Sequence, residues 1–299
     1  RDASAYRNLP PQRMADIATV SLRRLGRDDA STALSLWRQY KDVPYAEEDR
    51  LAITRDIGVR LAKKVDPAAL PFMAANDPQM KDDDVSEWRV RLALRTRQWD
   101  TASQLTAQLP PSLAGQSRWR YWRLRSAQLA NNGVGELVSD YQALAQERDF
   151  YGFLAAERAR QPYALNHQRA SVPDAVMQSV QQDPGTLRAK EFLDRNEVIN
   201  ARREWYHAGD RFNREQLIAQ AVLANQMAWY FPAIRGISQA QYWDDLDIRF
   251  PMAYQQSIKD QAQTRQINST WVYAITRQES AFMADARSHA GAMGLMQLM

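Results

Sequence analysis

The sequence predicts an all-α chain, and three observations carry that reading. Glycine is scarce, with 11 residues in 299. The bulk of the chain is Ala, Leu, Arg and Gln, residues that lose little on entering a helix. The β-branched residues are scattered and rarely alternate with polar ones, so the period-two pattern of a half-buried strand is missing. At this length two or three units are expected. Hydrophobic content of 45% and charged content of 25% are ordinary for a globular protein. No run of 18 apolar residues occurs, so no membrane-spanning helix is predicted.

Residues 1–165 read as a repeated helical hairpin. Leu34, Leu70, Leu105 and Leu137 recur at intervals of 36, 35 and 32. Each follows a polar turn: Gly26-Arg27-Asp28-Asp29, Lys64-Val65-Asp66-Pro67, Arg97-Gln98-Trp99-Asp100 and Asn131-Asn132-Gly133. A helix rich in Arg, Leu and Ala precedes each turn, as in Trp88 to Arg95, and an amphipathic one follows, as in Thr101 to Leu109. A helix–turn–helix period near 34 is the mark of an α-solenoid, a superhelix in which each hairpin buries its apolar face only against its neighbours.

Pro162 and the stretch from Asn166 to Pro173 interrupt this array. Residues 166–245 read as a smaller helical linker. Asp183-Pro184-Gly185 is predicted as a turn, Ala189 to Ala208 and Arg214 to Ala228 as further helical hairpins, and Phe231-Pro232 with Ile234-Arg235-Gly236 as the end of the second helix. Tyr242-Trp243-Asp244-Asp245-Leu246 then opens a third unit, residues 246–299. Aromatic residues come in near-adjacent sets: Trp119, Tyr121 and Trp122; Trp205 and Tyr206; Trp229 and Tyr230. Stacking on sugar rings is one reading. Packing between helices is the favoured one, because neighbours on a helix point in different directions.

The chemistry concentrates at the end of the chain. Trp271, Ala274, Ile275 and Gln278 fall at helical spacing, and Glu279 lies one turn after Ile275 on the same apolar side. A carboxyl buried there would have its pKa raised and could serve as a general acid near neutral pH. Gly291 and Gly294, three apart, precede an apolar run holding one amide, Gln297. That pattern predicts a tight loop leading into a helix that offers one hydrogen-bonding side chain. Asp285, six residues beyond Glu279, is the nearest second carboxyl, but it lies past the helix.

Glu279-Ser280-Ala281-Phe282, then Ser288, then Gly291-Ala292-Met293-Gly294-Leu295-Met296-Gln297 together resemble the catalytic domain of the soluble lytic transglycosylases, the goose-lysozyme-like enzymes that cleave peptidoglycan. Arg249-Phe250-Pro251-Met252-Ala253-Tyr254 resembles the opening segment of that domain, and the helical array resembles the superhelix of the large periplasmic members. The resemblance implies a superhelix over 1–165, a linker over 166–245 and the first part of a lysozyme-like α domain over 246–299. It implies Glu279 as the single catalytic acid/base, with Ser288, Gln297 and Met299 lining the saccharide groove. Met283 stands where the family commonly has Asn or Asp, and His289 where Pro is frequent.

By the same resemblance the substrate is the glycan strand of peptidoglycan, cleaved between N-acetylmuramic acid and N-acetylglucosamine with a 1,6-anhydro product. No cofactor or metal is required, the compartment is the bacterial periplasm, and membrane association is peripheral at most. Proteins of cell-wall synthesis or remodelling are further candidate partners. The family's catalytic domain continues well past the equivalent of Met299, and the chain starts at Arg1-Asp2 with no apolar leader. It is therefore read as cut within that domain, with no targeting signal in the sequence, and this chain alone is expected to be inactive.

The remaining counts narrow the alternatives. Thirty-nine basic residues are interleaved with 35 acidic ones, for a net charge of +4. That describes a solvated helical surface rather than a nucleic-acid footprint. With no cysteine, neither a disulfide framework nor a thiolate metal site can form. His167, His207 and His289 are too dispersed to suggest a metal site. The rival to an enzyme is a helical-repeat scaffold for protein partners or cell wall, which has no use for the motif around Glu279.

Overall fold

Acidic and amide side chains punctuate the helices, and the boundaries follow them. The structure, a computed structural model, describes residues 9–130 and 137–299. Among these residues eighteen helices form and no strand, only isolated bridges of Met293 with Arg287 and Leu298. The chain divides into two compact units, residues 1–165 and 166–299. No helix among the described residues is long and apolar enough to cross a membrane.

The first unit runs α1 (Pro11–Asp28), α2 (Ala30–Tyr40), α3 (Glu47–Lys63), α4 (Ala69–Asn76), α5 (Asp83–Arg95), α6 (Trp99–Ala107), α7 (Pro111–Ala114), α8 (Ser117–Leu129), α9 (Leu137–Leu144) and α10 (Phe150–Ala159). Helices α1, α3 and α5 pack in succession, each also against the next helix in the chain; α6 packs on α8, and α8 on α9 and α10. Leu34 and Leu105 are buried in this array, Leu70 and Leu137 half-buried. Alanines form many of its closest contacts: Ala33, Ala69, Ala93, Ala102 and Ala155 have no exposed surface. Larger apolar groups fill the spaces between them, among them Ile53, Ile57, Leu61, Met73 and Val85.

The turns differ from the sequence reading in detail. Gly26 lies within α1, and the break is the single residue Asp29, which caps α2 by accepting from the Thr32 backbone N–H and hydroxyl at 3.2 and 2.6 Å. Glycine is needed at 26 for packing: a Cβ there would lie 2.8 Å from Ile57 Cγ1, so its absence lets α1 close on α3. Trp99 and Asp100 belong to α6, because Arg97, at φ 57°, makes the turn before them. The turn Asn131-Asn132-Gly133 lies outside the described residues. Asp82 and Asp149 cap α5 and α10. Ion pairs tie successive helices along the rim: Arg23 to Asp56 at 3.0 Å, Arg55 to Asp82 at 2.8 Å, Arg118 to Glu87 at 2.7 Å, and Arg120 to Glu147. Exposed pairs of this kind contribute about 0–1 kcal/mol each, so burial, not charge, holds the stack.

The second unit runs α11 (Asp174–Gln181), α12 (Pro184–Asp194), α13 (Val198–Gly209), α14 (Arg214–Gln226), α15 (Tyr230–Gln239), α16 (Leu246–Arg249), α17 (Gln255–Thr264) and α18 (Ser269–Glu279). Three readings need correction. Asp183-Pro184-Gly185 starts a helix rather than making a turn: Asp183 Oδ1 accepts from the N–H groups of Gly185 and Thr186 at 2.8 and 3.1 Å, and Pro184 takes the first helical position. Arg214 to Ala228, read as a hairpin, is the single helix α14, whereas Ala189 to Ala208 does hold two helices, which meet at Asn196 with φ 59°. Phe231-Pro232 opens α15 instead of ending α14, which stops at Gln226, and Gly236 is buried inside α15 against Ala221.

The aromatic sets pack as side chains of the interior. Trp119 and Trp205 are almost wholly buried, Tyr121 is buried, and Trp205 meets Trp229 edge-on at 5.2 Å. The segment after Asn166 is clasped to the start of α16. Gln168 N–H donates to Asp244 O, Ala170 N–H to Asp245 Oδ2, and Leu246 N–H to His167 Nδ1.

Two glycines test the packing by opposite signs. At Gly152 in α10 an added Cβ would lie 2.0 Å from the Glu147 carbonyl oxygen, whereas at Gly115, the C-cap of α7 with φ −75°, it would meet nothing within 4 Å. Gly152→Ala is expected to destabilise the chain by about 1–3 kcal/mol, and Gly115→Ala to stabilise it by about 0.4–1 kcal/mol. Urea unfolding followed by far-ultraviolet circular dichroism reads both; shifts of the same sign would contradict the described packing.

Candidate active site

The motif around Glu279 is built at the end of α18. Asn268 starts that helix by accepting from Thr270 N–H at 2.9 Å. Ser280 ends it. Its hydroxyl reaches Thr276 O at 3.2 Å and Leu295 O at 2.8 Å, so one side chain joins the helix end to the loop carrying Gly291 and Gly294. Ala281 and Phe282 then take consecutive left-handed conformations, φ 46° and 64°, which turn the chain sharply away from the helix axis. Phe282 is the plug of this turn. It is buried with Ile234 and Ala253, and Tyr230 and Tyr273 pack beside it.

Arg277 supports the same end from another side. Its Nε–H donates to Arg249 O at 2.7 Å, and its guanidinium lies 5.6 Å from the Phe250 ring. Arg249 in turn covers Phe250 and Trp243 and donates to Trp243 O. The segment Arg249 to Tyr254 thus cradles α18. Desolvation pulls the Arg277 guanidinium below its ordinary pKa, and the neighbouring Arg249 charge acts in the same direction.

The apolar face predicted for α18 points the other way. Trp271 is 71% exposed and Ile275 38% exposed, with Ala274, Gln278 and Glu279 exposed beside them. Tertiary contacts are made by Tyr273, Thr276, Arg277 and the Phe282 turn instead, and by packing against α17. The burial required by the desolvation argument for Glu279 is therefore absent in this structure. The Glu279 carboxyl has no ion pair or side-chain hydrogen bond among the described residues.

The loop 283–299 differs from the predicted helix. Residues after Gly294 form turns. Gly291 and Gly294 have φ of 95° and 74°, the left-handed region that glycine enters without steric cost, and no atom crowds the space a Cβ would take at Gly291. Ser288 shapes the loop: its backbone N–H donates to Ala292 O, and its Oγ accepts from Ala292 N–H, both at 2.9 Å. Gln297, at φ 48°, turns its amide inward and donates to Ala286 O and Gly294 O at 3.3 and 2.9 Å. Its amide N–H therefore serves the loop, contrary to the expectation of a helical side chain offered outward. Met299 is 93% exposed. The structure thus places Glu279, Ser288 and Gln297 on one hydrogen-bonded substructure, with Ser280 as the connection that the sequence reading had not assigned.

Asp285 has a structural role. Arg202 of α13 grips it bidentately, Nη1 to Oδ1 at 2.8 Å and Nη2 to Oδ2 at 2.5 Å. The hydrogen bonds from Arg202 hold the Asp285 carboxyl below the usual carboxylate range, and the same bonds hold the guanidinium above its own. His289 is exposed. Among the described residues no three His, Asp or Glu side chains cluster in a way that could hold a metal ion.

Comparison with known proteins gives matches over the second unit and over the chain as a whole. The family model for the soluble lytic murein transglycosylase L domain matches residues 179–246, and the model for the transglycosylase SLT domain matches residues 256–299. The end of the chain thus matches two successive domains of the soluble lytic murein transglycosylases. The soluble lytic murein transglycosylase of Escherichia coli K12 is 28% identical over 285 residues, covering 95% of this chain and 44% of that protein. A putative soluble lytic murein transglycosylase of Haemophilus influenzae is 31% identical over 226 residues, covering 74% and 36%.

Among solved structures, an inactive glutamate-to-glutamine mutant of lytic transglycosylase Slt from Pseudomonas aeruginosa is 56% identical, with a TM-score of 0.84 over 95% of this chain and 47% of that one. The 70 kDa soluble lytic transglycosylase of E. coli is 26% identical, with a TM-score of 0.82 over 94% and 45%. The 70 kDa enzyme in complex with bulgecin A superposes with a TM-score of 0.81 at the same identity and coverage. The all-α superhelical architecture is thus shared with these soluble lytic transglycosylases. The chain spans less than half the length of each of these relatives.

The Arg202–Asp285 pair gives a pH-dependent prediction. A carboxyl whose folded pKa is depressed contributes stability above its unfolded pKa and loses it as pH falls through the folded value. Asp285→Asn is expected to cost about 1 kcal/mol at neutral pH, the upper end for a partly exposed pair. The difference from the unsubstituted chain should close as pH drops below the ordinary carboxylate range. Hydrogen exchange across 281–288 as a function of pH measures it; a cost independent of pH would assign the effect to something other than the ion pair.

Proposed function

We propose that this chain is the superhelix, linker and acid-bearing portion of a peptidoglycan lytic transglycosylase acting in the bacterial periplasm, and that Glu279 is its one catalytic acid/base. The observation that carries the reading is the placement of Glu279. Its unpaired, open carboxyl stands at the end of α18, beside a glycine loop clasped to that helix end by Ser280. A glycosidase that uses water ordinarily needs a second carboxyl. Here the nearest one in sequence, Asp285, is occupied by Arg202. The inactivity of the P. aeruginosa relative on replacement of one glutamate by glutamine is in keeping with a one-carboxyl mechanism.

In the proposed reaction Glu279 donates its proton to the oxygen linking N-acetylmuramic acid to N-acetylglucosamine, and the C1–O bond breaks. Positive charge develops at C1 of the muramic residue, stabilised by its acetamido group or by local dipoles. The Glu279 carboxylate then takes the proton of the C6 hydroxyl as O6 bonds to C1. The carboxyl is regenerated, the leaving strand keeps the first proton, and the product is a 1,6-anhydro sugar formed without water. Ser288, Gln297 and Met299 are proposed to line the saccharide groove. The first two also hold the loop's shape, which leaves the Gln297 carbonyl oxygen and the Ser288 hydroxyl proton for the ligand. Proteins of cell-wall synthesis or remodelling remain proposed partners.

In the full-length protein, Glu279→Gln is expected to lower kcat by at least about 10²–10⁴-fold, since one group serves both proton transfers. Mass spectrometry of digested murein should show anhydromuropeptides, lighter by one water than hydrolysis products. Full activity of Glu279→Gln would remove the site assignment, and reducing-end muropeptides as the first product would make the enzyme a hydrolase.

A further inference from the structure

Away from the candidate active site, the first unit holds an open cavity of about 420 Å³ between the start of α3 and the loop joining α4 to α5. That volume lies within the range of roughly 300–1,000 Å³ common for small-ligand sites. Arg50 stands in its wall. The guanidinium lies 5.6 Å from the centre of the Trp37 ring and 5.9 Å from that of Tyr45, and the two rings stack on each other at 5.3 Å. Trp37 is buried, so the platform is set by the core. A guanidinium held beside aromatic rings keeps its N–H donors free. Among the described residues Arg50 has neither a carboxylate partner nor a side-chain hydrogen bond.

The other charges around the cavity are already matched. Lys81 pairs with Glu47. Asp77 is buried and accepts the backbone N–H groups of Lys81 and Asp82 at 2.8 and 3.1 Å. Among the described residues, Arg50 is therefore the one cation lining this cavity without an anion. Two amides flank it. Asn76 gives an N–H to Phe72 O at 2.8 Å, which leaves its carbonyl oxygen as an acceptor, and Gln79 is exposed with both of its groups open. The set comprises an unpaired guanidinium fork, one amide acceptor and one adaptable amide.

We propose that this cavity is a binding site for the C-terminal carboxylate of a short peptide. The fork takes the carboxylate bidentately, the geometry for which arginine is suited and lysine is not. Asn76 accepts the N–H of the last peptide bond, and Gln79 meets its carbonyl. A simple anion could use only the first of these contacts. The site does not depend on the catalytic reading of Glu279.

The test is a titration of the chain with N-acetyl-alanyl-alanine, its C-terminal amide and inorganic phosphate, followed by NMR of the Ala75 and Leu51 methyl groups in the cavity wall. The free acid is expected to give saturable shifts with a dissociation constant on the order of 1 mM. The amide and phosphate should bind at least about tenfold more weakly. Arg50→Lys, which keeps the charge and loses the fork, should weaken the acid about tenfold, and Arg50→Gln should abolish its binding. Absence of saturable shifts, equal affinity for the amide or for phosphate, or unchanged affinity in Arg50→Lys would overturn the proposal. Should Arg50→Gln fail to fold, the lysine variant and the three ligands on the unsubstituted chain still decide it.

Discussion

No hairpin in this chain can bury its own apolar face, and the architecture derives from that constraint. Each two-helix unit has a wide apolar stripe and little length with which to cover it, so the next unit must do so. The closeness of the stack is set by small residues. Ala33, Ala69 and Ala102 are completely enclosed, and Gly26 and Gly58 stand where a Cβ would collide with Ile57 and Met73. Large residues such as Ile53, Leu61 and Val85 then fill spaces whose dimensions the small ones define. The ion pairs on the rim are spaced from helix to helix in the same way. They join neighbouring helices, while the burial beneath them supplies most of the free energy.

The segment that bears Glu279 obeys a different arrangement. Helix α18 packs on α17 and is held further by its last turn and by residues 280–285 just beyond it, not by the apolar stripe visible in its sequence. Phe282 enters the hydrophobic site made by Ile234 and Ala253, Arg277 stacks on Phe250, and Arg202 grips Asp285. Those contacts come from the linker helices α13 and α15 and from the Arg249 to Tyr254 segment. The linker thus provides the footing of the candidate site as well as connecting it to the rest of the second unit. With the helix anchored on that side, Glu279 is left on the open one.

Much of this was legible in local sequence. The helical hairpins are visible because a 3.6-residue period recurs between polar turns, and Asp29, Asp82 and Asp149 mark starts for a simple reason: a carboxylate there satisfies N–H groups that no helical partner can reach. The failures have equally specific causes. Asp183-Pro184-Gly185 has the composition of a turn, but an aspartate cap with proline at the first position is also how a helix begins. Pro232 and Gly236 read as breakers, yet proline is harmless in a first turn, and glycine inside α15 is required by the approach of Ala221. Helical spacing beyond Gly294 predicts an outward amide at Gln297, where the chain instead turns at φ 48°.

The sequence by itself determined the fold class, the order of the helices and the chemical identity of the motif: a glutamate, a serine and a glycine loop at a spacing that resembles one family of enzymes. These depend on periodicity and residue type, which act over a few neighbours. Only the tertiary structure decided which side of α18 is covered, that Asp285 is gripped by Arg202 as a strut for the loop, and that Ser280 joins helix and loop. Each of these rests on residues distant in the chain: Arg202 meets Asp285 across 83 positions, and Ile234 and Phe282 share one buried site. An amphipathic pattern shows that a helix has an apolar face. Whether that face is buried depends on which partners the rest of the chain brings to it.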